Sequence, residues 1–111
     1  MLRAFMIEPT DLIGTWTFQR DGAQAFLHFT YTRAFDYLQD GDSHQILRLE
    51  YALEEPGKIR FRNRPGDAGW TCSVVLQHGK LIIGSDDLVT VCMRARPEEI
   101  PAWFVEELAR G

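Results

Sequence analysis

Side chains that could carry out catalysis or bind a metal are few in this sequence and lie far apart along it. The three histidines, His28, His44 and His78, have no cysteine or second histidine at the spacing that a zinc site requires. Cys72 and Cys92 have no base nearby in sequence that would activate a thiol as a nucleophile. The chain also contains neither a nucleophile elbow nor a phosphate-binding loop. We therefore predict a protein that is not an enzyme, with no catalytic residues, no metal site and no cofactor.

A basic stripe is the clearest charged pattern in the chain. Lys58, Arg60, Arg62 and Arg64 alternate with apolar or amide side chains and so share one face of a strand. No aromatic side chains alternate with the bases on that face, as they would in a surface that binds single strands. The net charge of −4 gives no general attraction to nucleic acid or to an anionic membrane. We interpret the stripe as a solvated outer face and expect neither kind of partner.

The composition is that of an ordinary globular protein, with 45% hydrophobic and 25% charged residues among 111. A chain of this length forms one domain, which we place at residues 1–111. No apolar run approaches the ~20 residues of a transmembrane helix, and the first seven residues lack the features of a signal peptide. We expect a cytoplasmic protein in which Cys72 and Cys92 are free, buried thiols.

Hydrophobic side chains recur with a period of two from residue 14 to residue 96, between short turn segments. In the clearest case, Ile59 and Phe61 point to one face of a strand while the basic stripe points to the other. One polar face favours antiparallel pairing. Eight strand candidates lie at 15–19, 24–31, 33–38, 45–53, 58–64, 69–77, 81–83 and 88–96. They predict an all-β fold, an eight-stranded antiparallel up-and-down β-barrel, with an immunoglobulin-like sandwich as the alternative.

The hydrophobic period changes after Pro97 from that of a strand to that of a helix. Ile100, Trp103, Phe104 and Leu108 fall on one stripe at helical spacing. Acidic residues at the start of the segment suit the positive end of a helix dipole. We predict a C-terminal α-helix at about 98–110, packed on the outside of the barrel.

A short motif at each end of the predicted barrel carries a family resemblance. Gly14-x-Trp16 opens the first strand, and Arg94 and Arg96 close the last. This combination resembles the lipocalins and their relatives in the calycin group. The resemblance implies that the Trp plugs one end of the barrel and that a late arginine lies across its ring. Both arginines share a strand face and both stay candidates, with Arg94 preferred because Pro97 indicates that the strand is ending at Arg96. The haem-binding nitrobindins also open with Gly-x-Trp, but no late histidine here matches theirs, so haem is not expected.

Two functions fit a lipocalin-like barrel. The first is a carrier or sensor that binds a small apolar or amphipathic ligand inside, with Arg94 as the polar anchor. Its candidate lining residues are Leu27, Phe29, Tyr37, Leu49, Tyr51, Phe61, Trp70 and Val74. The second is a filled barrel that acts through its outer surface as a protein–protein interaction or inhibitor module, on a protein partner or as a homodimer. A short chain forms a small barrel that side chains can fill, so a cavity below ~300 Å³ would favour the second function.

Overall fold

Eight antiparallel strands follow one another in sequence order and close into a barrel in the computed structural model, which describes residues 7–40, 42–54 and 57–110. The strands are β1 (Gly14–Arg20), β2 (Ala23–Phe29), β3 (Arg33–Asp40), β4 (Ser43–Leu53), β5 (Lys58–Arg62), β6 (Trp70–Gln77), β7 (Lys80–Ser85) and β8 (Leu88–Arg94). A short helix, α1 (Pro9–Leu12), precedes them, and a 3₁₀ turn (Pro97–Glu99) and helix α2 (Ala102–Ala109) follow. The predicted up-and-down barrel with a C-terminal helix is confirmed.

The barrel closes where the first strand meets the last. Strand β1 pairs with β2 along its whole length and also with β8, where Trp16 lies opposite Arg94 and Thr17 opposite Met93. The paired positions at this seam lie near the start of β1 and the end of β8, and there they join the first and last strands of the sheet. A sandwich of two separate sheets is therefore excluded.

Side chains alternate between the inside and the outside of the barrel because successive residues of a strand point to opposite faces. The inner set forms one buried core, whose members are Leu12, Trp16, Leu27, Phe29, Ala34, Leu49, Tyr51, Ile59, Phe61, Cys72, Val74, Leu81 and Cys92. Cys72 and Cys92 are buried and free, as predicted.

Helix α2 covers part of the outer surface and creates a second core there. Phe104 is fully buried against Phe26, Phe35 and Tyr37, and Trp103 is partly buried beside them. The predicted apolar stripe of the helix is therefore the face that packs. Its predicted extent, 98–110, is wrong, because the helix is interrupted before residue 102. Pro101 has no N–H to donate and holds the preceding residue in an extended conformation, so a 3₁₀ turn and a separate α-helix form instead.

The two ends of the barrel are built differently. We call the end that carries α1 and the β6–β7 turn at His78–Gly79 the closed end. The opposite end, with the β1–β2 turn at Asp21–Gly22 and the β7–β8 turn at Asp86–Asp87, is the open end. Asp21 and Asp86 both adopt positive φ, at 52° and 51°, which an aspartate tolerates in a tight turn.

Within the described ranges, no helix has the length and the apolar content that crossing a membrane would require.

Candidate functional site

Trp16 and Arg94 together seal the closed end of the barrel. The Trp16 side chain is only 1% exposed, and its indole N–H donates a hydrogen bond to the Leu12 carbonyl at 2.9 Å. The Arg94 guanidinium carbon lies 4.0 Å from the centre of the Trp16 ring. Its two terminal nitrogens donate to the carbonyls of Ile13, at 2.7 Å, and Asp11, at 2.9 Å. One arginine therefore stacks on the indole and fastens the lead-in helix to the last strand.

Arg96 plays no part in this seal. Its side chain is 73% exposed and contacts the carboxylate of Glu99, which also accepts a hydrogen bond from the Arg96 backbone N–H. Between the two arginines that the sequence left as candidates, the structure selects Arg94.

Gly14 makes the stack possible. It adopts a φ of +121°, which side chains with a Cβ rarely adopt, and a Cβ built there would lie 2.7 Å from an Arg94 terminal nitrogen. The Gly-x-Trp motif is thus explained by contact with the late arginine, since the glycine leaves room for the guanidinium that covers the tryptophan.

The closed half of the barrel interior is filled by side chains. Phe29 and Tyr51 meet edge to face at 5.1 Å, and the Tyr51 hydroxyl donates to the Thr30 carbonyl at 2.7 Å. Burial, with a smaller contribution from Tyr31, raises the pKa of Tyr51 to about 12, so the hydroxyl remains a donor. These side chains pack in one core together with Trp16.

The open half of the interior contains a cavity of about 430 Å³. Its wall is mostly apolar or aromatic, with polar groups concentrated on β1 and β3. The lining residues are Phe18, Gln19, Arg20, Asp21, Leu27, Asp36, Leu49, Phe61, Trp70, Cys72, Ile83, Leu88, Val89, Thr90 and Cys92. The volume falls within the range of small-molecule sites and exceeds the ~300 Å³ below which a filled barrel would be favoured.

Four of the predicted lining residues meet at this cavity, namely Leu27, Leu49, Phe61 and Trp70. Trp70 stands at its mouth, 40% exposed, with its ring 5.8 Å from that of Phe61.

The other predicted residues lie elsewhere in the molecule. Phe29, Tyr51 and Val74 belong to the buried core but do not line the cavity, and Arg94 lies at the closed end on Trp16, away from the proposed anchor position.

Tyr37 lies on the outer face of β3, 4.9 Å from Trp103 between ring centres. Its placement inside the barrel is therefore corrected. Both faces of β3 are covered, one by the barrel interior and the other by α2. The aromatic side chains of β3, Phe35 and Tyr37, lie on the face that packs against α2.

An ion pair lies in the cavity wall. One terminal nitrogen of Arg20 donates to both carboxylate oxygens of Asp36, at 3.0 and 3.2 Å, and the other donates to the Tyr37 carbonyl at 3.0 Å. The Arg20 guanidinium also lies 5.0 Å from the centre of the Phe18 ring. These contacts place an ion pair in a cavity wall that is mostly apolar.

The electrostatics of this site are dominated by burial. Burial raises the pKa of Asp36 above its ordinary value, although the charge and hydrogen bonds of Arg20 oppose the shift. Burial, together with the Asp36 charge, raises the pKa of Cys92 to about 12, and burial also raises that of Cys72. At neutral pH both thiols are protonated and poor nucleophiles.

Sequence reasoning missed the Arg20–Asp36 pair, although half of the signal was present. Trp16, Phe18 and Arg20 occupy alternate positions of one strand, so placing Trp16 inside also places Arg20 inside. The pattern of β3 did not indicate which way Asp36 points, because both faces of this strand are buried.

Among residues 7–40, 42–54 and 57–110, no group of three His, Cys, Asp or Glu side chains is placed to hold a metal ion. Comparisons of the chain with protein-family models, with curated protein sequences and with solved structures found no match. The fold and the site therefore define a structural class and no more. The class is a closed eight-stranded antiparallel barrel with one plugged end and one end that contains a cavity.

Proposed function

We propose that this protein binds a small apolar or amphipathic molecule in the cavity at the open end of its barrel, as a carrier or sensor and not as an enzyme. The observation that carries the proposal is the cavity of about 430 Å³, lined by Leu27, Leu49, Phe61 and Trp70. A concave apolar wall with a few convergent polar groups is the usual form of a small-molecule site.

The plugged end supports a lipocalin-like assignment of this barrel. Gly14, Trp16 and Arg94 interact as the resemblance to lipocalins implies, and each contact has a physical role in closing one end. Trp70 and Leu88 are exposed lining residues at the other end, where we place the route into the interior.

Native mass spectrometry of the protein purified from its own host tests this proposal. We expect a retained molecule that is released on denaturation. Ile83→Trp, which fills the cavity, should abolish its retention. The matched control is Ile82→Trp, because Ile82 lies between Val75 and Val91 on the outer wall and the added bulk points away from the cavity. Retention by Ile83→Trp, or an empty wild-type protein that also fails to take up added octanol, would contradict the proposal.

A second candidate function rests on the outer wall formed by β6, β7 and β8. Val75, Val89, Val91 and Met93 expose between 47% and 63% of their surface there, and Ile82 lies among them. Lys80 is the one charged residue on this face of the three strands. We propose that a second copy of the chain covers the wall, because a nearly uncharged patch can meet itself about a twofold axis without like-charge repulsion.

Sedimentation equilibrium tests the association of two copies. The wild-type protein should form a dimer, and Val91→Lys should shift it to monomer because two lysines would then face each other across the axis. Val105→Lys is the matched control, since Val105 is an equally exposed valine on α2. A monomeric wild-type protein at high micromolar concentration would contradict this second candidate.

A further inference from the structure

The cavity wall contains a carboxylate that is incompletely compensated. Asp36 lies on the inner face of β3, beside Leu27 of the paired strand. Its side chain is 19% exposed, whereas that of its partner Arg20 is 38% exposed. The arginine therefore reaches solvent at the open end while the carboxylate is the more enclosed member of the pair. A charge enclosed by apolar side chains is costly unless several hydrogen bonds satisfy it.

The hydrogen bonds that Asp36 accepts are few. A carboxylate offers about four acceptor positions, yet among the described residues Arg20 alone donates to Asp36, through a single nitrogen shared by both oxygens. The other terminal nitrogen of Arg20 donates to the Tyr37 carbonyl. Burial outweighs Arg20 in setting the pKa of Asp36, which agrees with an under-compensated negative charge.

The one remaining charge of the described cavity lining is also negative. Besides Arg20 and Asp36, the lining contains one other charged residue, Asp21, in the turn at the mouth. Two carboxylates and one guanidinium give the described lining a net charge of −1. This net charge favours a cation over an anion in the cavity.

We propose that the ligand of this cavity carries a cationic amine at its polar end and that Asp36 receives it. The inference rests on the proposed ligand-binding function and specifies the chemical class of the ligand. The ammonium donates to the carboxylate oxygens at the positions that Arg20 leaves free. Its hydrocarbon part lies against Leu27, Leu49 and Phe61.

Three probes of equal chain length test the head-group preference by isothermal titration calorimetry at neutral pH. Octylamine, which is protonated under these conditions, octanol and octanoate differ only in the polar end. We expect octylamine to bind about tenfold more tightly than octanol, the scale of one charge-assisted hydrogen bond, and octanoate to bind most weakly.

Asp36→Asn assigns the preference to this residue. The variant should bind octylamine about tenfold more weakly and octanol with unchanged affinity. Glu106→Gln is the matched control, because it removes the same charge from an exposed position on α2 and should retain the full preference.

The outcomes separate this inference from the function on which it rests. If all three probes bind equally, or if octanoate binds best, the amine proposal is overturned while ligand binding stands. If octylamine retains its advantage in Asp36→Asn, the assignment to Asp36 is overturned. If none of the probes binds, both proposals fail. The three-probe series on the unmodified protein decides the head-group question even if Asp36→Asn does not fold.

Discussion

The closed and open ends of this barrel follow the same alternation of side chains, yet one is solid and the other hollow. At the closed end, Trp16 is covered by Arg94, and Phe29 packs on Tyr51. At the open end, a cavity of about 430 Å³ lies between side chains that include Phe18, Phe61 and Trp70. From this difference we propose that the closed end stabilises the fold and that the open end binds the ligand.

The largest expected effect on the free energy of unfolding comes from truncating a phenylalanine at the closed end, and the same change at the open end serves as the comparison. Phe29 is fully buried in the closed half, so Phe29→Ala leaves a cavity in a packed core and should cost roughly 3–5 kcal/mol. Phe18 is only partly buried and already borders empty space, so Phe18→Ala should cost less than about 2 kcal/mol. Urea titrations of both variants give the two values. Equal losses would show that the open end carries as much stability as the closed end.

Substituting Gly14 should have the next largest effect. Gly14→Ala places a Cβ on a backbone with a φ of +121° and pushes it against Arg94. Backbone strain of this kind costs of order 1–3 kcal/mol, and displacement of the guanidinium would weaken the plug as well. The free energy of unfolding should fall accordingly. Gly22→Ala serves as the comparison, because it has a positive φ of 80° but nothing near its Cβ. An equal loss in both variants would mean that backbone strain alone, without Arg94, explains Gly14.

Replacing Arg94 should lower the free energy of unfolding slightly less than replacing Gly14 does. Lysine keeps the charge of Arg94 but cannot lie flat on the indole while donating to two carbonyls, so Arg94→Lys should cost about 1–2 kcal/mol. Arg96→Lys is the matched control at an exposed position and should change stability by no more than about 0.5 kcal/mol. If lysine were tolerated equally at both positions, the plug would not depend on the planar contact.

The smallest expected effect is a pH dependence that originates at the open end. Burial raises the pKa of Asp36 above 3.8, so the folded protein keeps this proton to higher pH than the unfolded chain does. The contribution of Asp36 to stability is therefore greatest below that value and is lost as pH rises through the folded pKa. Asp36→Asn removes this contribution and leaves the other carboxylates in place.

Urea titrations at about pH 3, 5 and 7 measure this effect as the stability of the wild-type protein minus that of Asp36→Asn. We expect the difference to decrease as pH rises. A difference that increases with pH would show that Arg20 outweighs burial in the folded state.

Much of the fold could be predicted because period-two alternation and turn residues are local signals. The strand from Lys58 onwards has one basic face and one apolar face, which indicates antiparallel pairing, although the strand ends at Arg62 and not at residue 64 as predicted. One of the two late arginines, Arg94 or Arg96, could be placed near Trp16 because closure pairs the first strand with the last. Each of these inferences depends only on the pattern of one strand or on the pairing of two strands.

The cavity could be predicted only in part because it depends on how far side chains fill the space between strands. Phe29 and Phe61 both point inwards, and nothing in their spacing says that the first is packed in the closed half while the second lines a cavity. Tyr37 was misplaced because α2 buries the outer face of β3. Contacts between distant segments decide both cases, and a single strand pattern does not contain them.

Backbone ¹H–¹⁵N chemical shifts during a titration with octanol test the central claim most directly. The account predicts saturable shifts at residues that line the open half, such as Leu49, Phe61, Cys72 and Ile83, with little change at Phe29 and Ile59 in the closed half. Shifts confined to the closed half or to the outer wall, or none at all, would contradict the claim that the open end is a ligand site.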